Sequence, residues 1–263
     1  MAEQSVRVCC RVRPALQSES TRCCTEITSC NGKRMIQLND PRNMRQSVTY
    51  QFDEVFTAAS TQEEVFQREG TLAAARVAAG FPANLLAYGT AGSGKTHTLF
   101  GNKEKPGVGP QTVAALLHAI SQAGSGAQSL LHVTVAELHQ QHVFDVLLGK
   151  DHEVFLSEKD GTASGAALSR VGIENMEQFW DLLARLQSTR PLAGTQGRHM
   201  IMTLHSAAGA GRLTLVDLAG NDDARKGGAA QHARSLDSSS VQHALSCLGG
   251  VIAALHSQVH VCL

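Results

Sequence analysis

One short segment constrains this chain more than any other: residues 84–99, with the sequence NLLAYGTAGSGKTHTL. Within it, Gly89, Gly94, Lys95 and Thr96 match the pattern G-x-x-x-x-G-K-[ST]. The residues before the pattern are apolar and strand-like, and the residues after it can begin a helix. Because strand, glycine-rich loop and helix in this order form the phosphate-binding loop of α/β domains, the segment predicts both a fold class and a ligand.

Each residue type in this loop suits phosphate chemistry. Glycines let backbone N–H groups converge on phosphate oxygens, and the start of the following helix favours negative charge. The Lys95 ammonium would lie along the β- and γ-phosphates, and the Thr96 hydroxyl is a hard oxygen ligand of the kind that Mg²⁺ prefers. The alternative, a chance Gly/Ser turn, is disfavoured by the two flanks. We therefore predict a nucleotide site with Mg²⁺.

Composition narrows the class of protein. The 263 residues are 43% hydrophobic, and the 23 basic side chains balance the 23 acidic ones, so no overall charge draws the chain to nucleic acid or membrane. No apolar run approaches the ~20 residues of a membrane span, and the N-terminus lacks signal-peptide features. The seven cysteines and 12 histidines show no metal-ligand spacing. We expect a cytoplasmic protein with free thiols and with neither nucleic acid nor membrane as a partner.

The hydrophobic pattern predicts alternating helices and strands. Helical spacing occurs in residues 62–79, 111–122, 177–187 and 240–256, and strand-like patterns in 6–14, 84–88, 130–138, 200–204 and 212–218. This order predicts a single α/β domain over residues 1–263, with a central, mostly parallel sheet flanked by helices. Short strands near residues 36–38 and 48–50 predict a small appended β-sheet, and the pair 200–204 and 212–218 predicts a hairpin.

A second motif lies in residues 213–220, where a strand of the buried type ends in the carboxylate of Asp217 and Gly220 comes three residues later. In phosphate-loop NTPases such an aspartate holds Mg²⁺, and a glycine N–H can sense the γ-phosphate. The alternative is an ordinary strand end with an Asx turn. Because a phosphate loop lies upstream, we favour the functional interpretation and assign catalytic roles to Lys95, Thr96, Asp217 and Gly220.

Six segments, in order, resemble the kinesin motor domain, and the resemblance extends over residues 6–256. They are CRVRP at 10–14, FDEVF at 52–56, AYGTAGSGKTHT at 87–98, ELH and VFDVLL within 137–148, DLAGND at 217–222, and LSCLGGVI at 245–252. Within the third segment, Thr90 and Ala91 depart from the family's usual residues. The resemblance implies a P-loop NTPase fold of the kinesin-motor type.

The resemblance also implies roles for individual residues. Arg11, Pro14, Tyr88 and His97 would frame the adenine of ATP, and Asp217 with Gly220 would form switch II. The phosphates and Mg²⁺ would be held by Gly89, Thr90, Ala91, Gly92, Ser93, Gly94, Lys95 and Thr96. The implied activity is ATP hydrolysis coupled to movement on microtubules, with tubulin as the partner and the cytoskeleton as the location.

One family segment is altered. The family's switch I reads N-x-x-S-S-R-S-H, and its serines position Mg²⁺ and the attacking water, whereas residues 193–203 read AGTQGRHMIMT. Depending on the alignment, Arg198 or His199 takes the place of a serine, and the family's Arg–Glu pair between the switches would survive only as Arg198 with Asp222. Because positioning supplies most of the catalysis in phosphoryl transfer, we expect slowed hydrolysis with nucleotide binding retained.

The family's Y-R-D-S-K-L-T segment does not occur before the last residue, Leu263. We therefore expect an incomplete motor domain with an incomplete microtubule contact surface. Two hypotheses follow. The first is an ATP-hydrolysing microtubule motor domain. The second is a non-motile, hydrolysis-impaired ATP-binding module derived from such a motor.

Overall fold

The computed structural model describes thirteen stretches of the chain. They are residues 6–16, 24–30, 33–40, 43–122, 131–140, 142–149, 152–154, 157–159, 162–164, 168–189, 197–206, 211–220 and 231–257. The chain forms two compact units, residues 1–61 with 246–263 and residues 62–245. The single domain over residues 1–263 stays a prediction.

The first unit contains two small sheets. Strand β1 (Cys9–Arg11) pairs in parallel with β5 (Glu54–Phe56), and the backbone N–H of Asp53 donates to the Val8 carbonyl at 2.9 Å. Strands β2 (Thr25–Cys30), β3 (Lys33–Asp40) and β4 (Asn43–Phe52) form an antiparallel meander. This meander confirms the predicted appended β-sheet, although its strands are longer than the short apolar patterns indicated.

The second unit is built on a sheet with the strand order β6, β14, β13, β7, β8 and β9, and with β12 also paired to β7. The bounds are β6 (Pro82–Ala87), β7 (Leu131–His139), β8 (His142–Asp145), β9 (Glu153–Val154), β12 (Val171–Ile173), β13 (Arg198–Ser206) and β14 (Arg212–Asp217). Strands β10 (Ser157–Lys159) and β11 (Thr162–Ser164) form a separate antiparallel pair.

The direction of these strands corrects one prediction. Only β6 and β14 run in parallel among the described strands of this sheet, and the pairings of β14, β13, β7, β8 and β9 are antiparallel. The sheet is therefore mixed rather than mostly parallel. For β13 and β14 the physical reason is connection length, because the short link between them permits only a hairpin, whereas a parallel pair needs a long crossover. That hairpin itself is confirmed. The antiparallel pairing of β13 with β7 joins strands that are far apart in sequence.

Helices complete the unit. A first helical run consists of α1 (Gln62–Val65), a π-helical turn (Phe66–Gly70) and α2 (Thr71–Ala78), and it matches the predicted helix 62–79. The others are α3 (Lys95–Leu99), α4 (Val108–Gln122) and α5 (Met176–Thr189). Helix α6 (Gln231–Ser257) begins in this unit, and its residues from Ser246 onward belong to the first unit. Helix α4 begins three residues before the predicted segment 111–122 and includes Pro110, because proline is tolerated in the first helical turn.

The core lies between the sheet and the helices. Val133, Val135, Met202, Leu213 and Leu215 on the central strands have no exposed surface. Helix α5 buries the apolar face that its periodicity predicts, formed by Phe179, Leu182, Leu183 and Leu186. In β14, burial alternates along the strand, so that Leu213, Leu215 and Asp217 are buried and Thr214 and Val216 are half-buried. This packing fixes the end of β14, and therefore Asp217, against β6.

Candidate nucleotide site

The glycine-rich loop connects the end of β6 at Ala87 to the start of α3 at Lys95. Gly94, the residue before the helix, has φ 92°, in the left-handed region that side chains rarely adopt. This conformation turns the chain sharply from the loop into the helix. The structure therefore forms the strand, loop and helix that the sequence pattern predicts, and it explains why glycine stands at position 94.

Lys95 and Thr90 close the loop upon itself. The Lys95 Nζ donates a hydrogen bond to the Thr90 carbonyl oxygen at 2.9 Å, and the Ser93 N–H donates to the same oxygen at 3.2 Å. The ammonium group is therefore held over the loop by a backbone acceptor. A phosphate oxygen carries more negative charge than a carbonyl oxygen, so it would be the stronger partner for this ammonium.

Thr96 and Asp217 meet at the end of the sheet although 121 positions separate them. The Thr96 Oγ1 donates a hydrogen bond to the Asp217 Oδ2 at 2.6 Å, and Asp217 is only 6% exposed. The contact follows from topology, because β6 and β14 are parallel neighbours in which Ala87 pairs with Asp217. The structure thus brings together the two oxygen donors that the sequence assigns to Mg²⁺.

Gly220 lies directly against the phosphate loop. A Cβ atom at this position would approach the Ala91 nitrogen to 2.8 Å and the Ala91 Cα to 3.0 Å, closer than real side chains come to a backbone. Only glycine therefore fits here without displacing the loop. The contact joins the segment after β14 to the loop after β6, as the assignment of Gly220 to a phosphate-sensing role requires.

Arg198 and His199, which fill the altered switch I segment, are the first residues of β13. Arg198 Nη1 forms an ion pair with Glu137 Oε1 on the neighbouring strand β7, and Glu137 is 7% exposed. Asp222, the partner predicted for Arg198, lies outside the described residues, as do residues 190–196. Sequence reasoning missed the partner Glu137, although a carboxylate within an apolar strand indicates a buried charge that needs a cation.

His199 contacts the segment after β14. It is 4% exposed, and its Nδ1 accepts a hydrogen bond from the Ala219 N–H at 3.2 Å. Burial lowers the pKa of the His199 imidazole below its usual value, so the ring is neutral near pH 7. This hydrogen bond could not be predicted from residue types, because it depends on how far β13 extends beside β14.

The four residues assigned to the adenine fall in both units. In the first unit, Arg11 Nη2 donates to the Ser60 carbonyl at 3.4 Å, burial lowers the pKa of its guanidinium, and Pro14 is exposed. In the second unit, Tyr88 is 62% exposed after β6. The side-chain amide of Gln62 donates to the His97 carbonyl oxygen at 2.7 Å. The adenine frame as a whole stays a prediction.

No cluster of three or more His, Cys, Asp or Glu side chains with the arrangement of a metal site occurs in the described part of the chain. Among the helices described, none combines the length and the apolar character needed to cross a membrane.

The parallel pair β6 and β14, the glycine-rich loop and the Thr96–Asp217 contact define a phosphate-loop NTPase. A model of the kinesin motor domain matches residues 11–263 of this sequence. The chain belongs to the kinesin motor domain family.

This chain is similar in sequence to individual kinesin-like proteins. The kinesin-like protein KIN-14I of Oryza sativa subsp. japonica is 30% identical over 96% of this chain. That match covers 21% of the relative, and the next two relatives are covered to 45% and 43%, so the chain spans less than half of their lengths.

Solved structures share the fold. A kinesin mutant crystal structure, described as revealing a signalling pathway for activation of the motor ATPase, is 25% identical, with a TM-score of 0.76 over 96% of this chain and 84% of that one. A KIF14 structure with AMP-PNP, in complex with a microtubule, superposes with a TM-score of 0.80 over 97% of this chain and 79% of that one, at 24% identity. These likenesses confirm the α/β kinesin-type fold.

Proposed function

We propose that this chain is the ATP-binding part of a microtubule motor, and that it couples ATP hydrolysis to microtubule binding and movement. The observation that carries the proposal is the 2.6 Å contact between Thr96 Oγ1 and Asp217 Oδ2 beside the phosphate loop. A Gly/Ser turn that matched the motif by chance would not place its threonine against a buried carboxylate from another strand. Membership in the kinesin motor domain family supports the same conclusion.

The donor set fits Mg²⁺. A threonine hydroxyl and an aspartate carboxylate are hard oxygen ligands, and Mg²⁺ in such sites keeps several waters while it binds one or two protein oxygens and the phosphates. Thr96 would bind the ion directly, and Asp217 would hold it through a water. When bound, Mg²⁺ would neutralise charge on the β- and γ-phosphates.

The residues of this chain would contribute to hydrolysis by positioning the phosphates. With nucleotide bound, the Lys95 ammonium would donate to phosphate oxygens in place of the Thr90 carbonyl oxygen. The Gly220 N–H would detect whether a γ-phosphate is present. The close approach of Gly220 to Ala91 supports this role, because a shift of either backbone is transmitted to the other. Release of the γ-phosphate would then release the segment after β14, which is how switch segments in this class respond.

The adenine and the microtubule are the remaining parts of the proposal. Arg11, Pro14, Tyr88 and His97 would frame the adenine, by their match to the family motif. The hydrogen bond from Gln62 supports the role of His97, because it fixes the backbone of α3 at that residue. Microtubules would be the partner and the cytoskeleton the location, as family membership implies.

A steady-state ATPase assay with and without microtubules tests the proposal. The 263-residue chain is expected to bind ATP with Mg²⁺ and to hydrolyse it faster when microtubules are added. Lys95→Ala should abolish both effects, whereas Lys103→Ala, a lysine outside the loop, should change neither.

Two outcomes would contradict the proposal. Nucleotide binding without any turnover would favour the hydrolysis-impaired module, for which the missing switch I serines are the argument. Absence of nucleotide binding would reject both hypotheses. A gliding assay on the same protein then separates a motor, which moves microtubules, from an ATPase that does not.

A further inference from the structure

We propose that His199 is a positioning residue, whose Nδ1 holds the Ala219–Gly220 backbone in place against the phosphate loop. The inference rests on the nucleotide site proposed above and concerns the altered switch I segment, in which His199 lies. It starts from the buried hydrogen bond between the Ala219 N–H and the imidazole.

The first step concerns the buried donor. Ala219 and His199 are each 4% exposed, so water has little access to the Ala219 N–H. A buried N–H group without an acceptor is costly, and the imidazole supplies that acceptor at 3.2 Å. The hydrogen bond therefore ties the segment that follows β14 to the first residues of β13.

The second step concerns what this segment touches. Asp217 accepts a hydrogen bond from Thr96, and Gly220 leaves no room for a Cβ against Ala91. Ala219 lies between these two contacts with the phosphate loop. Three attachments, at positions 217, 219 and 220, thus set where the Gly220 N–H points.

The third step concerns the protonation state of the ring. An acceptor at Nδ1 requires the neutral tautomer with its proton on Nε2. Burial lowers the pKa of His199 and so favours the neutral form. The chemical requirement of the hydrogen bond and the surroundings of the ring therefore agree.

Substitutions of His199 separate positioning from packing. In His199→Asn, an amide oxygen on Cγ can replace Nδ1 as the acceptor, whereas His199→Gln carries its oxygen one carbon further out. His199→Leu still fills the buried space with a side chain but removes the acceptor. His205→Leu is the matched control, because His205 also lies in β13, roughly 20 Å further along at ~3.3 Å per residue.

Two readouts are needed. The first is amide hydrogen exchange of Ala219 in nucleotide-free protein, which does not depend on the nucleotide site. Loss of one net hydrogen bond should speed exchange about fivefold in the Leu and Gln variants and leave the Asn variant near the wild type. The second is the affinity ratio of a non-hydrolysable triphosphate to the diphosphate, which should fall about fivefold in the same two variants while diphosphate affinity is kept.

The outcomes are distinct. Unchanged exchange and an unchanged affinity ratio in the Leu and Gln variants would overturn the inference, as would equal losses in the Asn variant. If the Leu variant does not fold, the comparison of Asn with Gln decides. If the wild type binds no nucleotide, the proposed function fails, and exchange alone then decides whether His199 holds the Ala219 backbone.

Discussion

At the residue scale, the hydroxyl of Thr96 connects the phosphate loop to Asp217 and is also the expected ligand of Mg²⁺. Thr96→Val keeps the shape of the side chain and removes the oxygen. We expect Mg²⁺-dependent nucleotide affinity to fall at least tenfold, because a charge-assisted hydrogen bond and a metal ligand are lost together. Titration with a fluorescent nucleotide, in Mg²⁺ and in EDTA, measures this.

The matched control is Thr98→Val, two positions further along α3, which should bind as the wild type does. Without Mg²⁺ the Thr96→Val and wild-type proteins should differ less than with it. An equal loss in both conditions would show that the hydroxyl stabilises the loop rather than the ion.

A second prediction concerns the pH dependence of stability. Burial lowers the pKa of His199 below 6.5 in the folded protein. The unfolded chain therefore binds this proton at higher pH than the folded chain does. Stability from this group is fully present above the unfolded pKa and is lost as pH falls from about 6.5 through the folded pKa. Urea unfolding midpoints between pH 7 and pH 5.5 should fall more in the wild type than in His199→Asn.

His205 should contribute in the same direction. Its pKa is lowered first by burial and then by the charges of Arg170, Arg212 and His132. His205→Asn should therefore also flatten the pH profile. A His199→Asn profile parallel to that of the wild type would contradict the assignment of a neutral, buried His199.

At the element scale, the ion pair between Arg198 and Glu137 links β13 to β7. The Arg198 side chain is 33% exposed and that of Glu137 is 9% exposed, so the carboxylate is the buried partner. Arg198→Met should destabilise the protein by about 3 kcal/mol, because a buried carboxylate loses its cation. The double variant with Glu137→Leu should recover most of that loss, since replacing a buried ion pair by apolar side chains is close to neutral.

A double-mutant cycle by urea unfolding measures this coupling. The single variant Arg185→Met, on the exposed face of α5, serves as a control for loss of an arginine. It should change stability by less than about 0.5 kcal/mol. Additive effects of Arg198→Met and Glu137→Leu would show that the two side chains do not stabilise each other.

The elements also show which features the sequence can predict. The face of α5 was predictable because Phe179, Leu182, Leu183 and Leu186 follow a local period of 3.6 residues, and all four are buried. The relative directions of the strands in the sheet were not predictable, because strand pairing depends on contacts far apart in sequence. The phosphate loop was predictable from its own residues. The contact of His199 with Ala219 was not, since neither residue type carries a signal without the register of β13 and β14.

At the scale of the whole molecule, the loop after β6 and the segment after β14 come from distant parts of the chain and meet at one edge of one sheet. A ligand that bridges them binds the folded chain and not the unfolded one. Binding energy gained there is therefore added to the free energy of unfolding of the unit formed by residues 62–245. Nucleotide binding should be detectable as stability even if turnover is slow.

The last prediction follows from this linkage. ATP with Mg²⁺ at about 100 times its Kd should add about 2.7 kcal/mol. For a chain of this size, that energy should raise the Tm by roughly 5–10 °C in differential scanning fluorimetry. Lys95→Ala should lose the shift, because the ammonium that faces the loop is removed, whereas Lys103→Ala should keep it. An equal shift in the Lys95→Ala protein would place the bound nucleotide elsewhere, because no other lysine lies within residues 84–99.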